Sequence, residues 1–461
     1  MPITGRTALL ALLGTAIVGG LAAAGVAAWV ALVAVNGVLL AAVVVDALLA
    51  ASPRALVVRR EGDRKVRLGE TAAVTLTVTN TGQRPLRGWL RDAWAPTAGA
   101  RVAGTASDRT ELHLPAGRTA QIPMAITPSR RGDRPTDRIT ARSLGPLGLA
   151  GRQRSLRCPW SVRTLPAFAS RRHLPSRLAR LRDMDGRQAI AVRAQGTEFD
   201  SLREYVPGDD VRSIDWRATA RAADVMVRTW RPERDRRVVI VLDTGRTSAG
   251  RIGDETRLDL LMDAALLLAA LAGRAGDRVD LLAHDRRTRV QVSGGSGRAL
   301  LPSLVDAMAD LEPELAETDS RGLVAAVLRR VRKRALVVLL TTLDQAPMQE
   351  GLLPALPTLT ARHTVVVAAV RTPPSSDRAV TVALGGARAG RDGDGGGAAG
   401  GDRSDAATAY RHAAQARADL DRAHVSAELA RLGVRVVDAE PEHLAPALAD
   451  AYLDLKAQGR L

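Results

Sequence analysis

The chain is poor in the residues that most often announce a function. A single cysteine, Cys158, stands among 461 residues, so no intrachain disulfide can form and an oxidising compartment has left no mark. The 7 histidines are scattered, without cysteine partners and without HExxH spacing, which argues against a zinc site. Aromatic side chains number 11 in all, and charge is absent from the whole of residues 7–45, a run of 39 positions.

That uncharged run is the first positive feature. One membrane span needs about 20 apolar residues, so its length fits two spans joined by a tight turn. The turn is expected at residues 25–29; Asn36 and Gly37 are the rival, which would shorten the second helix. A cleaved signal peptide or a single long span is the competing reading, but a signal core would not run so far. Arg6 precedes the run, and Arg54, Arg59, Arg60, Arg64, Lys65 and Arg67 follow it. Basic residues on both flanks favour the cytoplasm, so the soluble portion is expected there, in a multi-pass protein of the cell membrane. The formal charge is +17, and residues 51–170 hold 21 Arg+Lys against 8 Asp+Glu. Next to an anionic lipid bilayer such an excess has a plain role, and no nucleic-acid partner is expected.

Beyond the two helices of residues 1–50, three further regions follow. Residues 51–168 read as a small antiparallel β-sandwich, because Val74, Leu76 and Val78 alternate with Thr75, Thr77 and Thr79, and Ile122, Met124 and Ile126 repeat the period of two. Trp89 and Trp94 are expected in its core. Residues 169–235 read as an Arg-rich linker, helical around 174–184, and a denser segment after it. Residues 236–461 alternate β-branched runs at 238–242, 279–283, 289–292, 335–340, 364–370 and 434–437 with helical patterns, which predicts a doubly wound parallel α/β domain. Residues 385–405 are Gly-rich and read as a flexible insertion before the last strand.

The denser segment, residues 196–221, reads GTEFDSLREYVPGDDVRSIDWRATAR. Phe199, Tyr205 and Trp216 lie in it, interleaved with acids and arginines, and rings that need burial oblige neighbouring charges to find partners. Glu204, Asp209, Asp210 and Asp215 invite an acid–base reading, yet no histidine, cysteine or lysine lies among them as partner. Charge balancing by Arg203, Arg212, Arg217 and Arg221, with Tyr205 and Trp216 packed over the sheet, makes a structural clasp; a docking surface is the alternative. Glu198, Gly208 and Pro207 complete this segment, the last two in a turn.

In doubly wound sheets ligands bind beyond the carboxyl ends of the strands. Asp243 ends the first strand, in DTGRTSAG. A carboxylate there with hydroxyls two and four residues on resembles the motif by which von Willebrand A-type domains hold Mg2+, a hard cation that takes oxygen ligands. Thr247 and Thr318 match two further positions, and Asp344 is the candidate for the last. Gly245 stands where the first hydroxyl belongs, and Asp344 lies two residues late, so the motif is degenerate; the plain alternative is that Asp243 orders its own loop.

The 196–221 segment, the VRTW that follows and the strand ending at Asp243 together resemble the signature of the bacterial domain of unknown function numbered fifty-eight, and residues 143–152, SLGPLGLAGR, resemble the close of that family's β region. The resemblance implies two N-terminal membrane helices, a β-rich segment and a von Willebrand A-like domain. It also implies a MoxR-type AAA+ ATPase and transglutaminase-like membrane proteins as partners, in an assembly or envelope-related process, and it carries no enzyme activity with it. The expectation is therefore a non-enzymatic adaptor without an obligate cofactor, Mg2+ aside. Its rivals are a metal-dependent hydrolase using Asp209, Asp210 and Asp243, and an extracellular adhesion module.

Overall fold

The computed structural model describes residues 3–105, 107–191, 198–207, 209–222, 224–231, 236–295, 297–372 and 400–461. The chain divides into two compact units, Met1–Ala167 and Phe168–Leu461. The first therefore joins the two helices to the β region, and the second takes the supposed linker into the α/β domain.

In the first unit, α1 (Gly5–Ala23) and α2 (Ala28–Leu49) are both long and apolar enough to cross a membrane. They are joined where expected, through Gly25 at φ +93°. Asn36 and Gly37 lie inside α2, where the Asn36 amide donates to the Leu32 carbonyl at 2.9 Å. Much of the apolar surface has no protein against it: Leu12, Trp29 and Val38 are 75%, 70% and 71% exposed.

The β region is built from β1 (Leu56–Gly62), β2 (Lys65–Arg67), β3 (Ala72–Asn80), β4 (Leu86–Asp92), β5 (Ala100–Val102), β6 (Arg109–Leu114), β7 (Thr119–Ile126), β8 (Gly132–Leu144) and β9 (Gly151–Leu165). They form two sheets, β1-β3-β7-β5 and β2-β9-β8-β4-β6, antiparallel except for β2 beside β9. One apolar core lies between them, with Val74, Leu76 and Val78 of β3 against Leu86, Leu90 and Ile139 of the other sheet. The alternation in β3 is what the sequence predicts. Trp94 packs against this core, its indole donating to Asp92 at 2.8 Å. Trp89 does not. The same period of two that turns Leu86 and Leu90 inward turns Trp89 outward, between the guanidiniums of Arg109 and Arg142 at 5.2 and 4.6 Å from the ring centre.

In the second unit, α3 (Leu174–Ala191) is anchored rather than free. Arg177 pairs with Asp450 at 2.9 Å and Arg180 with Asp454 at 2.8 Å, while Ser170 just before it bonds Asp263. Next come β10 (Glu198–Glu204), α4 (Trp216–Thr219) and β11 (Met226–Arg231), with β10 and β11 paired antiparallel.

The large sheet holds β12 (Arg237–Asp243), then, after the short hairpin of β13 (Arg251–Ile252) and β14 (Glu255–Thr256), β15 (Arg278–His284), β16 (Thr288–Gly295), β17 (Leu336–Thr341), β18 (Thr364–Val370) and β19 (Arg435–Ala439). Its order is β16-β15-β12-β17-β18-β19. All neighbours are parallel except β16, a departure from the expected parallel sheet. Residues 285–287 are too few for a crossover, so the chain must turn straight back. Helices α5 (Arg257–Arg274), α6 (Leu300–Met308), α7 (Ser320–Arg330), α8 (Leu356–Thr360), α9 (Gly400–Arg431) and α10 (Pro441–Ala457) cover the sheet. Alternate residues of each strand pack to opposite sides: Val239, Val337 and Val367 meet α7, α8 and α9. Burial on both faces explains why these strands read as unbroken apolar runs. Residues 385–399 of the Gly-rich segment lie outside the described residues; 400–405 begin α9.

Candidate functional site

The chain runs outward on one side of β12 and resumes on the other with β17, so the strand order reverses between them. A crevice opens at that point in doubly wound sheets. Here it is a cavity of about 300 Å³, with Asp243 at the end of β12, Thr341 and Thr342 at the end of β17, and Thr318 before α7. The Asp243 carboxylate is 7% exposed. Its Oδ1 accepts the Gly245 N–H at 2.9 Å and the Thr318 hydroxyl at 2.5 Å; its Oδ2 accepts the Thr341 hydroxyl at 2.6 Å. Ser248 donates to the Asp243 carbonyl at 2.6 Å. These bonds order the loop that the sequence reading assigned to Asp243, and they also hold the carboxylate toward the cavity. His284, opposite Asp243 in β15, is pushed below the ordinary histidine pKa by burial, against the pull of Asp285, Asp319 and Asp243.

Of the four candidate metal ligands, Asp243 and Thr318 are in direct contact, and Thr247 lines the same cavity. Asp344 is elsewhere. It pairs with Arg257 at 3.2 Å and lines a neighbouring pocket with Arg371 and Arg422. Gly245 cannot gain the missing hydroxyl without rearrangement, because a Cβ there would fall 2.0 Å from Thr318 Oγ1. The donor set is thus one deep carboxylate with neutral hydroxyls, short of the hydroxyl at 245 and of the carboxylate at the end of β17 that the motif calls for. Thr341, which meets the Asp243 carboxylate from the end of β17, was not among the candidate ligands. Arg246 and Glu317, paired across the rim at 2.5 Å, and the apolar wall of Leu323, Met348 and Leu352 were not anticipated at all.

The signature segment forms a separate small structure. Arg203 donates to Asp209 at 2.5 Å, and the Val206 N–H donates to the same carboxylate at 3.0 Å. Asp210 caps the turn Val211–Ser213 through the Arg212 N–H, and Asp215 caps α4 while pairing with Arg228 at 2.7 Å. Asp209 is held below the usual carboxylate range by the Arg203 hydrogen bond, and Asp215 by the Ala218 N–H. A general acid at neutral pH needs the opposite shift. The partners of Asp209 and Asp210 lie within residues 203–212 and those of Asp243 within 245–341, so among the described residues the three acids of the hydrolase reading share no hydrogen-bond partner. Charge balance is as expected for Arg203, although Asp215 is matched by Arg228 rather than by a residue of the segment. Burial of the rings is not: Tyr205 is half-buried, but Trp216 is 67% exposed, with Arg212 and Arg221 also exposed. Trp216 opens a four-residue helix whose cap fixes its backbone and leaves its ring free. Glu198 and Phe199 pair through the β10 backbone with Arg231 and Trp230; Gly208 lies outside the described residues.

Among curated proteins, the chain is similar to the uncharacterized proteins Rv1480 of Mycobacterium tuberculosis (strain H37Rv) and Mb1516 of Mycobacterium bovis, each 26% identical over 148 residues. The matched stretch is 32% of this chain and spans 47%, about half, of either relative. Among solved structures, the CARDB domain of the PF1109 protein from Pyrococcus furiosus matches 24% of this chain at 17% identity, covering 91% of that domain, with a TM-score of 0.17. Native alpha-2-macroglobulin from Escherichia coli, from domain MG7 to its C-terminus, matches 26% of this chain at 23% identity, covering 17% of that chain, with a TM-score of 0.18. Scores this low carry no argument. The informative likeness is in sequence: residues 201–382, from within the signature across β12, the cavity and β18, match the model of the family described as protein of unknown function DUF58.

Proposed function

We propose that this chain is a membrane-anchored, non-enzymatic interaction protein whose α/β domain docks a protein partner at the cavity between β12 and β17. The partner suggested by the family resemblance is a MoxR-type AAA+ ATPase. The observation that carries the reading is the state of Asp243, a deep carboxylate held by hydroxyl and amide donors in a cavity that, among the described residues, no histidine, cysteine or lysine lines. Such a site can recognise a partner, and the Thr318 and Thr341 hydroxyls that meet the carboxylate serve to order it. The sheet order, with its single antiparallel strand β16, supports a von Willebrand A-like domain. The bare apolar faces of α1 and α2 support burial in a bilayer, since water would penalise them. Arg6 on one side and the basic residues after α2 on the other support a cytoplasmic α/β domain.

The test is a pull-down of the full chain from solubilised membranes, with and without ATP. Recovery of an AAA+ ATPase in a nucleotide-dependent manner is the expected result; recovery of none in either state overturns the reading. A reporter fused after Leu461 should report the cytoplasm, and an outside signal would favour the adhesion alternative.

A further inference from the structure

We infer that the cavity receives the ammonium group of a lysine side chain from the docked partner, an inference that rests on the docking reading above. Among the described residues no cation lies within ion-pairing distance of Asp243; its three partners are neutral, and the nearby arginines are committed elsewhere, Arg246 to Glu317 and Arg257 to Asp344. Carboxylates this deep are normally paired. The charged residues lining the cavity are Asp243, Glu317 and Glu350 against Arg246, three carboxylates to one guanidinium. On a chain whose formal charge is +17, this mouth is a local reversal of sign. The field there favours a cation.

The lining decides which cation. Leu323, Leu339, Met348 and Leu352 make one wall apolar, so the ligand should combine a charged end with a hydrocarbon stem. A carboxylate offers about four acceptor positions, and three donors already use the Asp243 oxygens, two on Oδ1 and one on Oδ2. A guanidinium fork wants two parallel acceptors, which Asp243 no longer presents. An ammonium needs one from Asp243, and its remaining protons can go to the Thr247, Ser320 and Thr342 hydroxyls that line the same space. Lysine therefore fits where arginine does not.

The experiment is calorimetric titration of the full chain in detergent micelles with Nα-acetyl-lysine methylamide, its norleucine and arginine counterparts, and magnesium chloride in separate runs. The lysine derivative should bind saturably, and at least about ten-fold more tightly than the other two amides, the ratio expected for one charge-assisted hydrogen bond. Asp243→Asn should weaken it by a similar factor. Asparagine can keep the Gly245 and Thr318 bonds through its oxygen, and the Thr341 hydroxyl can turn to accept from its amide. Glu350→Gln, on the exposed rim, should weaken binding less and without any change in melting temperature. Absence of saturable binding, equal binding of the norleucine amide, or binding untouched by Asp243→Asn overturns the inference. So does displacement of the lysine derivative by Mg2+ at lower concentration, which would mark a metal site. An ATPase still captured through this face while no lysine amide binds would overturn this inference alone. Lysine binding without any captured ATPase would instead sink the partner assignment.

Discussion

The Asp46 carboxylate, in the last turn of α2, accepts the backbone N–H of Leu149 at 2.7 Å, 103 residues further along the chain. The Leu147 and Ala150 N–H groups donate to it as well, at 2.7 and 2.9 Å. The start of α1 holds the same loop from its other side, through Thr7 Oγ1 to the Leu149 carbonyl at 2.5 Å and the Thr4 N–H at 3.0 Å. The turn between β8 and β9 is thereby pinned to both ends of the helical pair. Gly145 is obligatory here, because a Cβ would lie 2.2 Å from Asp46 Oδ1.

Asp46→Ala should therefore be strongly destabilising. It orphans three amide donors, each costing on the order of 1–3 kcal/mol when left buried without a partner. Thermal melts of the full chain in detergent should show a large drop. Hydrogen exchange should locate the loss at residues 147–150. A melt unchanged within error would mean that water replaces the carboxylate.

Restoring the absent hydroxyl at the Asp243 site should fail on its own. Gly245→Ser places a Cβ against Thr318 Oγ1 and should cost about 1–3 kcal/mol, the usual penalty of overpacking. Adding Thr318→Ala should recover most of that loss. Melting temperatures of the single and double variants check both parts, and a tolerated single variant would contradict the packing.

A third contact lies far from the cavity. Lys456 Nζ reaches Asp277 at 2.9 Å with both side chains almost fully buried, and the Tyr452 hydroxyl completes the cluster at 2.5 Å. Lys456→Met should cost about 3–5 kcal/mol because it strands a buried carboxylate. The pair Lys456→Met with Asp277→Leu should be far closer to the parent. Denaturation midpoints that fall equally for both would show that the ion pair itself, not the stranded charge, is what matters.

Stability should also fall in mild acid. Burial holds His284 and His363 below the ordinary histidine value of 6.5. Between their folded-state values and 6.5, the unfolded chain binds protons that the folded chain refuses. Stability then drops as pH is lowered through that window, and is flat above it. His363→Leu should flatten part of the slope, since among the described residues neither ring nitrogen has a hydrogen-bond partner to lose. Melts at pH 7.5 and 5.5 measure it, and an unchanged slope would assign the effect to other groups.

Where contacts are local or a face is buried whole, residues announce their structure. The apolar runs at 238–242 and 335–340 told their strands because both faces of the sheet are covered, and Asp243 was legible because a carboxylate at the end of such a run sits where ligands bind. The uncharged run of residues 7–45 announced two helices and their turn for the same kind of reason, length against a known thickness. Trp89 and Trp216 misled because a large ring suggests burial, whereas strand parity decides it for Trp89 and a four-residue helix for Trp216.

By itself, then, the sequence determined most of the elements and their order, because period, length and turn chemistry act over a few positions. Only the tertiary structure decided who meets whom. Thr341 reaches Asp243 because β17 lies beside β12, Asp344 is lost to Arg257, and Asp46 finds Leu149 across more than a hundred residues. Those pairings follow from strand order and loop closure, which no short window of sequence contains.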